Sequence, residues 1–148
     1  MPSDKMFLFQ LTDGLDFIHS KQMAHCDIKP ENVLIFSSDD GLAVVKWAGF
    51  SRATSVGQDG SYILSNAQLR GTLIWMAPEL LNQLRSSSVR GTVLNDVFSA
   101  GLLFFSYLTG GVHPFGANAD EIVDNILKRK GVNFSSKLLV LSVHFSLN

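Results

Sequence analysis

The sequence predicts a mainly helical α+β chain with one small β-hairpin, and three observations carry that expectation. Four stretches are helix-like, either through apolar residues at helical spacing or through an apolar run of helix length. Two short β-rich runs flank a polar turn. With 46% hydrophobic and 17% charged residues, 148 residues amount to one domain's worth of chain and are too apolar for a disordered protein.

Phe7, Leu8, Leu11, Leu15 and Ile18 recur at helical spacing behind Ser3 and Asp4 as caps, which predicts an amphipathic helix ending near Lys21. A polar loop from Met23 to Asn32 follows, interrupted by Pro30. Val33-Leu34-Ile35-Phe36 and Leu42-Ala43-Val44-Val45, separated by Ser37-Ser38-Asp39-Asp40-Gly41, form the hairpin. Gly49 to Thr72 has no period and is rich in Ser, Thr, Gly and Asn, so it reads as one mobile segment. Ala77-Pro78-Glu79 opens a short helix through Leu84, with Pro78 in its first turn, and Ser86-Ser87-Ser88 ends it. Val97 to Leu108, preceded by Asp96 as an N-cap, is apolar on every side, which predicts a central buried helix that Gly110-Gly111 stops. A last helix runs from Asp120 and Glu121 to Lys128, Arg129 and Lys130, closed by Gly131, with Ile122, Val123, Ile126 and Leu127 as its buried stripe.

Twelve Lys and Arg against 13 Asp and Glu, with no block of like charge, give no electrostatic case for nucleic acid or an anionic membrane surface. The lone Cys26 excludes an intrachain disulfide and points to a reducing compartment, so a cytoplasmic location is expected. The N-terminus lacks a signal-peptide pattern. The longest apolar run, Val97 to Leu108, falls short of the roughly 18 residues needed to span a bilayer. A charged share of 17%, against about 25% in a typical domain, suggests a piece of something larger.

The stretch His25-Cys26-Asp27-Ile28-Lys29-Pro30-Glu31-Asn32 resembles the catalytic loop of eukaryotic protein kinases, and Gly71-Thr72-Leu73-Ile74-Trp75-Met76-Ala77-Pro78-Glu79 resembles the end of their activation segment. Phosphoryl transfer needs a carboxylate beside the attacking hydroxyl, a cation on the transferred phosphate and ligands for Mg²⁺, all rigidly held. The resemblance implies Asp27 as the base, Lys29 as the phosphate contact, Asn32 as a Mg²⁺ ligand and Leu34 as the floor of the adenine pocket of an ATP site. Read singly, Asp27 and Asn32 would cap turns around Pro30, and Leu34 would be a strand core residue. The same resemblance implies that His25 is a structural member of the loop, that Thr72 and Glu79 position the substrate segment, and that Asp96, at the start of the family's central helix, ties down the loop backbone. Lys29-Pro30-Glu31-Asn32 and Thr72 look like the serine/threonine branch. Phe98-Ser99-Ala100-Gly101 and His113-Pro114-Phe115-Gly116 are most similar to the kinase domain of the inositol-requiring-type stress sensors, the kinase/endoribonucleases of the unfolded-protein response. His113 itself reads as a loop histidine without a catalytic role.

The chain departs from the family pattern in four places. Too few residues precede His25 for the β-rich N-lobe, so the expected fold is the C-terminal lobe alone: a partial kinase domain over residues 1–134, followed by a divergent tail over 135–148. Where the family has Asp-Phe-Gly, this chain reads Lys46-Trp47-Ala48-Gly49-Phe50-Ser51, so that either Trp47-Ala48 replaced Asp-Phe or two residues were lost between Ala48 and Gly49. Cys26 stands where the family has an Arg that meets a phosphate on the activation segment; it reads as a small half-buried residue rather than a reactive thiol. The Arg that partners the Glu79 position is absent, and the tail is apolar and β-prone, a composition that favours self-association. The expected function is a partial serine/threonine kinase domain with impaired transfer to a protein substrate. A non-catalytic pseudokinase module that binds a protein partner and a truncated gene product are the competing readings.

Overall fold

A computed structural model describes residues 2–65 and 73–134. Among them are four α-helices and three two-stranded antiparallel sheets, a mixed α and β architecture. Thr72 and the tail 135–148 lie outside the described residues.

Helix α1 (Asp4–Ser20) starts where Ser3 Oγ accepts the Met6 N–H, and it buries Phe7, Leu11, Leu15 and Ile18 of the predicted stripe, with Leu8 partly buried. Strand β1 (Met23–Ala24) leads into the loop that ends in a 3₁₀ turn at Pro30–Asn32. Strands β2 (Val33–Ser37) and β3 (Ala43–Trp47) form the hairpin, with Val33 opposite Trp47. The outer edge of β3 is closed by one side chain: Gln10 on α1 accepts from Val45 N–H at 2.7 Å and donates to Ala43 O at 3.2 Å. In this way an amide supplies the pairing that a third strand would give.

Between Gly49 and Ser65 the chain holds more order than its composition predicts, and the rest of that stretch, 66–72, lies outside the described residues. Strand β4 (Thr54–Ser55) pairs with β1, and β5 (Ser61–Ser65) pairs with β6 (Ser88–Thr92), a strand where the serine run had marked only a helix end. Tyr62 and Leu64 of β5 pack with Ala24, Leu80 and Val89 in a second small core. Gly91 is required there, since a Cβ would lie 2.4 Å from the Tyr62 ring and hydroxyl. Strands β5 and β6 depend on partners that run from Ser61 opposite Thr92 to Ser65 opposite Ser88, a long-range pairing that local composition does not carry.

Helix α2 (Pro78–Leu81) follows, and α3 (Val93–Leu108) begins earlier than expected. Its N-cap is Thr92, in a capping box with Asn95, so Asp96 lies inside the first turn and is not the cap. The helix is not buried all round: Leu102, Leu103 and Phe105 are in the core, whereas Leu94 and Val97 are exposed. Helix α4 (Ala119–Leu127) is capped by Asn118 and buries Ile122 and Ile126. Its end is turned by Arg129 in the left-handed region (φ 53°) rather than by Gly131. The main core lies between α1, α3, α4 and the hairpin, and it contains Trp47 and Trp75.

Candidate active site

The loop from His25 to Asn32 is held from below by Asp96. Its carboxylate, 2% exposed, accepts His25 N–H at 2.8 Å, Cys26 N–H at 2.9 Å and His19 Nε2–H at 2.9 Å. Cys26 needs this hold, because its φ of 62° is left-handed, a conformation that costs a non-glycine residue about 1–2 kcal/mol. The Cys26 thiol is half-buried, and burial, with the Asp96 charge behind it, pushes its pKa up to about 12, so it is not a thiolate nucleophile.

His25 is fully buried. Its Nδ1 accepts Asp27 N–H at 3.2 Å, which leaves Nε2–H to donate to Ala48 O at 2.8 Å; the ring thus joins the loop to the end of the hairpin. Burial holds the pKa of His25, and likewise that of His113, below the usual 6.5. The unfolded chain then binds protons that the folded chain refuses. Stability is expected to be full above pH 6.5 and to decline as the pH falls below it, which urea midpoints on either side of that value will check. His113 Nε2 bonds Ile74 O at 3.0 Å.

Asp27, Lys29 and Asn32 are brought together. Lys29 Nζ lies 3.4 Å from Asp27 Oδ2, and Asn32 Nδ2 donates to the same oxygen at 2.9 Å and to Asp27 O at 2.7 Å. Leu34 is set apart from the core. It faces outward on β2 and is 54% exposed, which corrects the reading of it as a strand core residue. Glu79 meets the Asn95 side-chain amide; Asn95 Oδ1 in turn accepts Tyr62 O–H at 3.1 Å and Thr92 N–H at 2.7 Å. Neither Tyr62 nor Asn95 was a sequence candidate, although the Thr92–Asn95 spacing carries a capping-box signal.

The position facing Asn32 is Gly49. Trp47 closes β3 with its indole buried and donating to Leu11 O at 2.8 Å, and Phe50 sets its ring 4.8 Å from His25. Gly49 lies between them in the left-handed region (φ 77°), and a Cβ there would be 2.2 Å from Asn32 Oδ1. The donor set therefore reduces to one amide oxygen and a carboxylate already shared among three donors. No group of three or more His, Cys, Asp or Glu that could hold a metal exists among the described residues. Such a set does not fit a Mg²⁺ site, which calls for octahedral oxygen ligands anchored by carboxylates.

A family profile described as "Protein kinase domain" matches residues 3–142. This chain belongs to the protein kinase family. It is 39% identical over 113 residues to the serine/threonine-protein kinase/endoribonuclease IRE2 of Homo sapiens, a match covering 76% of this chain and 12% of that protein. It is 30% identical over 152 residues to the serine/threonine-protein kinase/endoribonuclease IRE1 of Hypocrea jecorina, covering 84% and 12%. The serine/threonine-protein kinase ATG1b of Arabidopsis thaliana is 32% identical over 139 residues, covering 93% and 18%. The kinase chain thus spans under a fifth of the length of these relatives, and the resemblance to the inositol-requiring-type kinases is the expected one. Protein kinases use ATP and Mg²⁺ and act on protein substrates. No helix among the described residues is long and apolar enough to cross a membrane.

Proposed function

We propose that this chain is a partial serine/threonine protein kinase domain, of C-lobe type over residues 1–134, whose phosphoryl transfer is impaired. Asp27 takes the role of the base toward a serine or threonine hydroxyl, and Lys29 that of the phosphate contact. Leu34 presents an apolar surface for a base, while Thr72 and Glu79 belong to the segment that receives the substrate. The observation that carries the impairment is Gly49 facing Asn32: the position holds no carboxylate, and the Asn32 amide is turned onto Asp27 instead. Removing one preorganised electrostatic group of this kind typically costs about 10²–10³ in rate.

A specific observation favours the non-catalytic binding module as the second reading. Leu34, Ile35 and Phe36 on β2 and Phe9 and Phe17 on α1 are large apolar side chains left exposed, a surface suited to a protein partner or to self-association. The single, half-buried free thiol supports the cytosolic setting. The test is transfer of labelled phosphate from ATP to a generic serine/threonine substrate. No transfer above background is expected from the full chain. Turnover that disappears in Asp27→Asn would overturn the impairment and restore an active enzyme.

A further inference from the structure

Asp27 is approached from two directions. Lys29 and Asn32, from its own loop, take Oδ2, whereas Oδ1 receives Arg52 Nη1 at 3.1 Å from the 3₁₀ turn Phe50–Arg52. The carboxylate is 12% exposed and the guanidinium 22%, so the pair is largely shielded from the water that would weaken it. Arg52 is also fixed in the backbone. Ala53 N–H closes the turn onto Phe50 O, β4 pairs with β1 from Thr54, and β5 pairs with β6 from Ser61. Beside the pair lies a small cavity of about 30 Å³ whose lining includes Asp27, Arg52, Tyr62, Trp75 and Met76, with room for water.

A base must offer its oxygen within about 2.6–3.2 Å of the hydroxyl it deprotonates. A charge-assisted bond from a guanidinium outcompetes a neutral hydroxyl for that oxygen. We infer that Arg52 is an occluding residue: the segment from Gly49 to Ser65 is latched in a closed position that keeps a guanidinium on Asp27, and an acceptor hydroxyl reaches the carboxylate only when Arg52 is withdrawn. This rests on Asp27 being the acceptor-facing carboxylate, but the device itself is measurable without any turnover.

The experiment is carbodiimide-promoted amidation of the full chain with a small amine, with the labelling rate of each carboxylate read by peptide mass spectrometry. Exposed Glu31 serves as the reference and buried Asp96 as the folding control. In the wild type, Asp27 should label far more slowly than Glu31. Arg52→Gln should raise the Asp27 rate about tenfold, the scale of losing one charge-assisted hydrogen bond, with Asp96 still protected. Arg52→Lys should give a smaller rise. An unchanged Asp27 rate with Asp96 protected overturns the inference. If Arg52→Gln exposes Asp96, the chain has opened and Arg52→Lys decides by the same two criteria. Labelling needs neither nucleotide nor acceptor, so a failed transfer assay and a failed occlusion remain separate results.

Discussion

Asp96→Ala is expected to cost about 3–5 kcal/mol and to release the loop from His25 to Asn32. The substitution leaves two buried backbone N–H groups, those of His25 and Cys26, without an acceptor, at about 1–3 kcal/mol each. It also removes what holds Cys26 in its left-handed conformation and deprives His19 of its partner. Asp96→Asn should recover only part of the loss. Its single carbonyl oxygen replaces two carboxylate oxygens, and its amide N–H₂ turns a donor toward donors. Urea unfolding of the two variants against the wild type measures both effects. A loss below about 1 kcal/mol for Asp96→Ala, within reach of an ordinary surface change, would show that the loop is held by other contacts.

Gly49→Asp is the second large effect, and it runs in opposite directions with and without metal. Alone, the variant should be less stable than the wild type by about 1–3 kcal/mol. Aspartate tolerates a positive φ better than most residues but not freely, and its Cβ forces the Asn32 amide off Asp27. That same displacement frees Asn32 Oδ1 and places a carboxylate beside it. Since outer-shell partners alone shift metal affinity 10–100-fold, the added carboxylate is expected to make Mg²⁺-dependent ATP binding at least about tenfold tighter. Thermal shift with and without Mg²⁺, together with ATP titration, reads both halves. Trp47→Asp is the contrasting variant. It removes a buried indole and its bond to Leu11 O and leaves a carboxylate in the core, so it should unfold the hairpin end without gaining metal dependence. Equal Mg²⁺ dependence in the two variants would return the metal position to Trp47.

Much of this chain was legible from local pattern. The α1 stripe, the hairpin around Ser37 to Gly41, the Pro78 helix start and the glycine stop after Leu108 are each dictated by residues within a few positions of one another. Capping, turn chemistry and hydrophobic period act at that range. The grouping of Asp27, Lys29 and Asn32 was legible for the same reason, since eight residues of loop can bring three side chains together by themselves.

What the tertiary structure decided lies at longer range. Strands β5 and β6 are short polar-flanked runs whose strand state exists only because each supplies the other's hydrogen bonds and because Tyr62 fits over Gly91. Asp96 reads as an N-cap in sequence, yet the capping box at Thr92 shifts the helix start and turns its carboxylate onto a loop seventy residues upstream. Nothing in Lys46-Trp47-Ala48-Gly49 says which residue faces Asn32. That depends on where Trp47 finds a buried site and an acceptor for its indole, and the backbone after it must then take the left-handed step that only Gly49 makes without strain. Arg52 likewise carries no local signal, because its meaning is set by the position of Asp27, twenty-five residues away, and by the strands that hold the segment in place. Sequence determined the helices, the hairpin and the loop chemistry of this kinase chain. Packing determined the register in which they meet, because a side chain's partner across the fold is chosen by burial and hydrogen-bond satisfaction rather than by its neighbours.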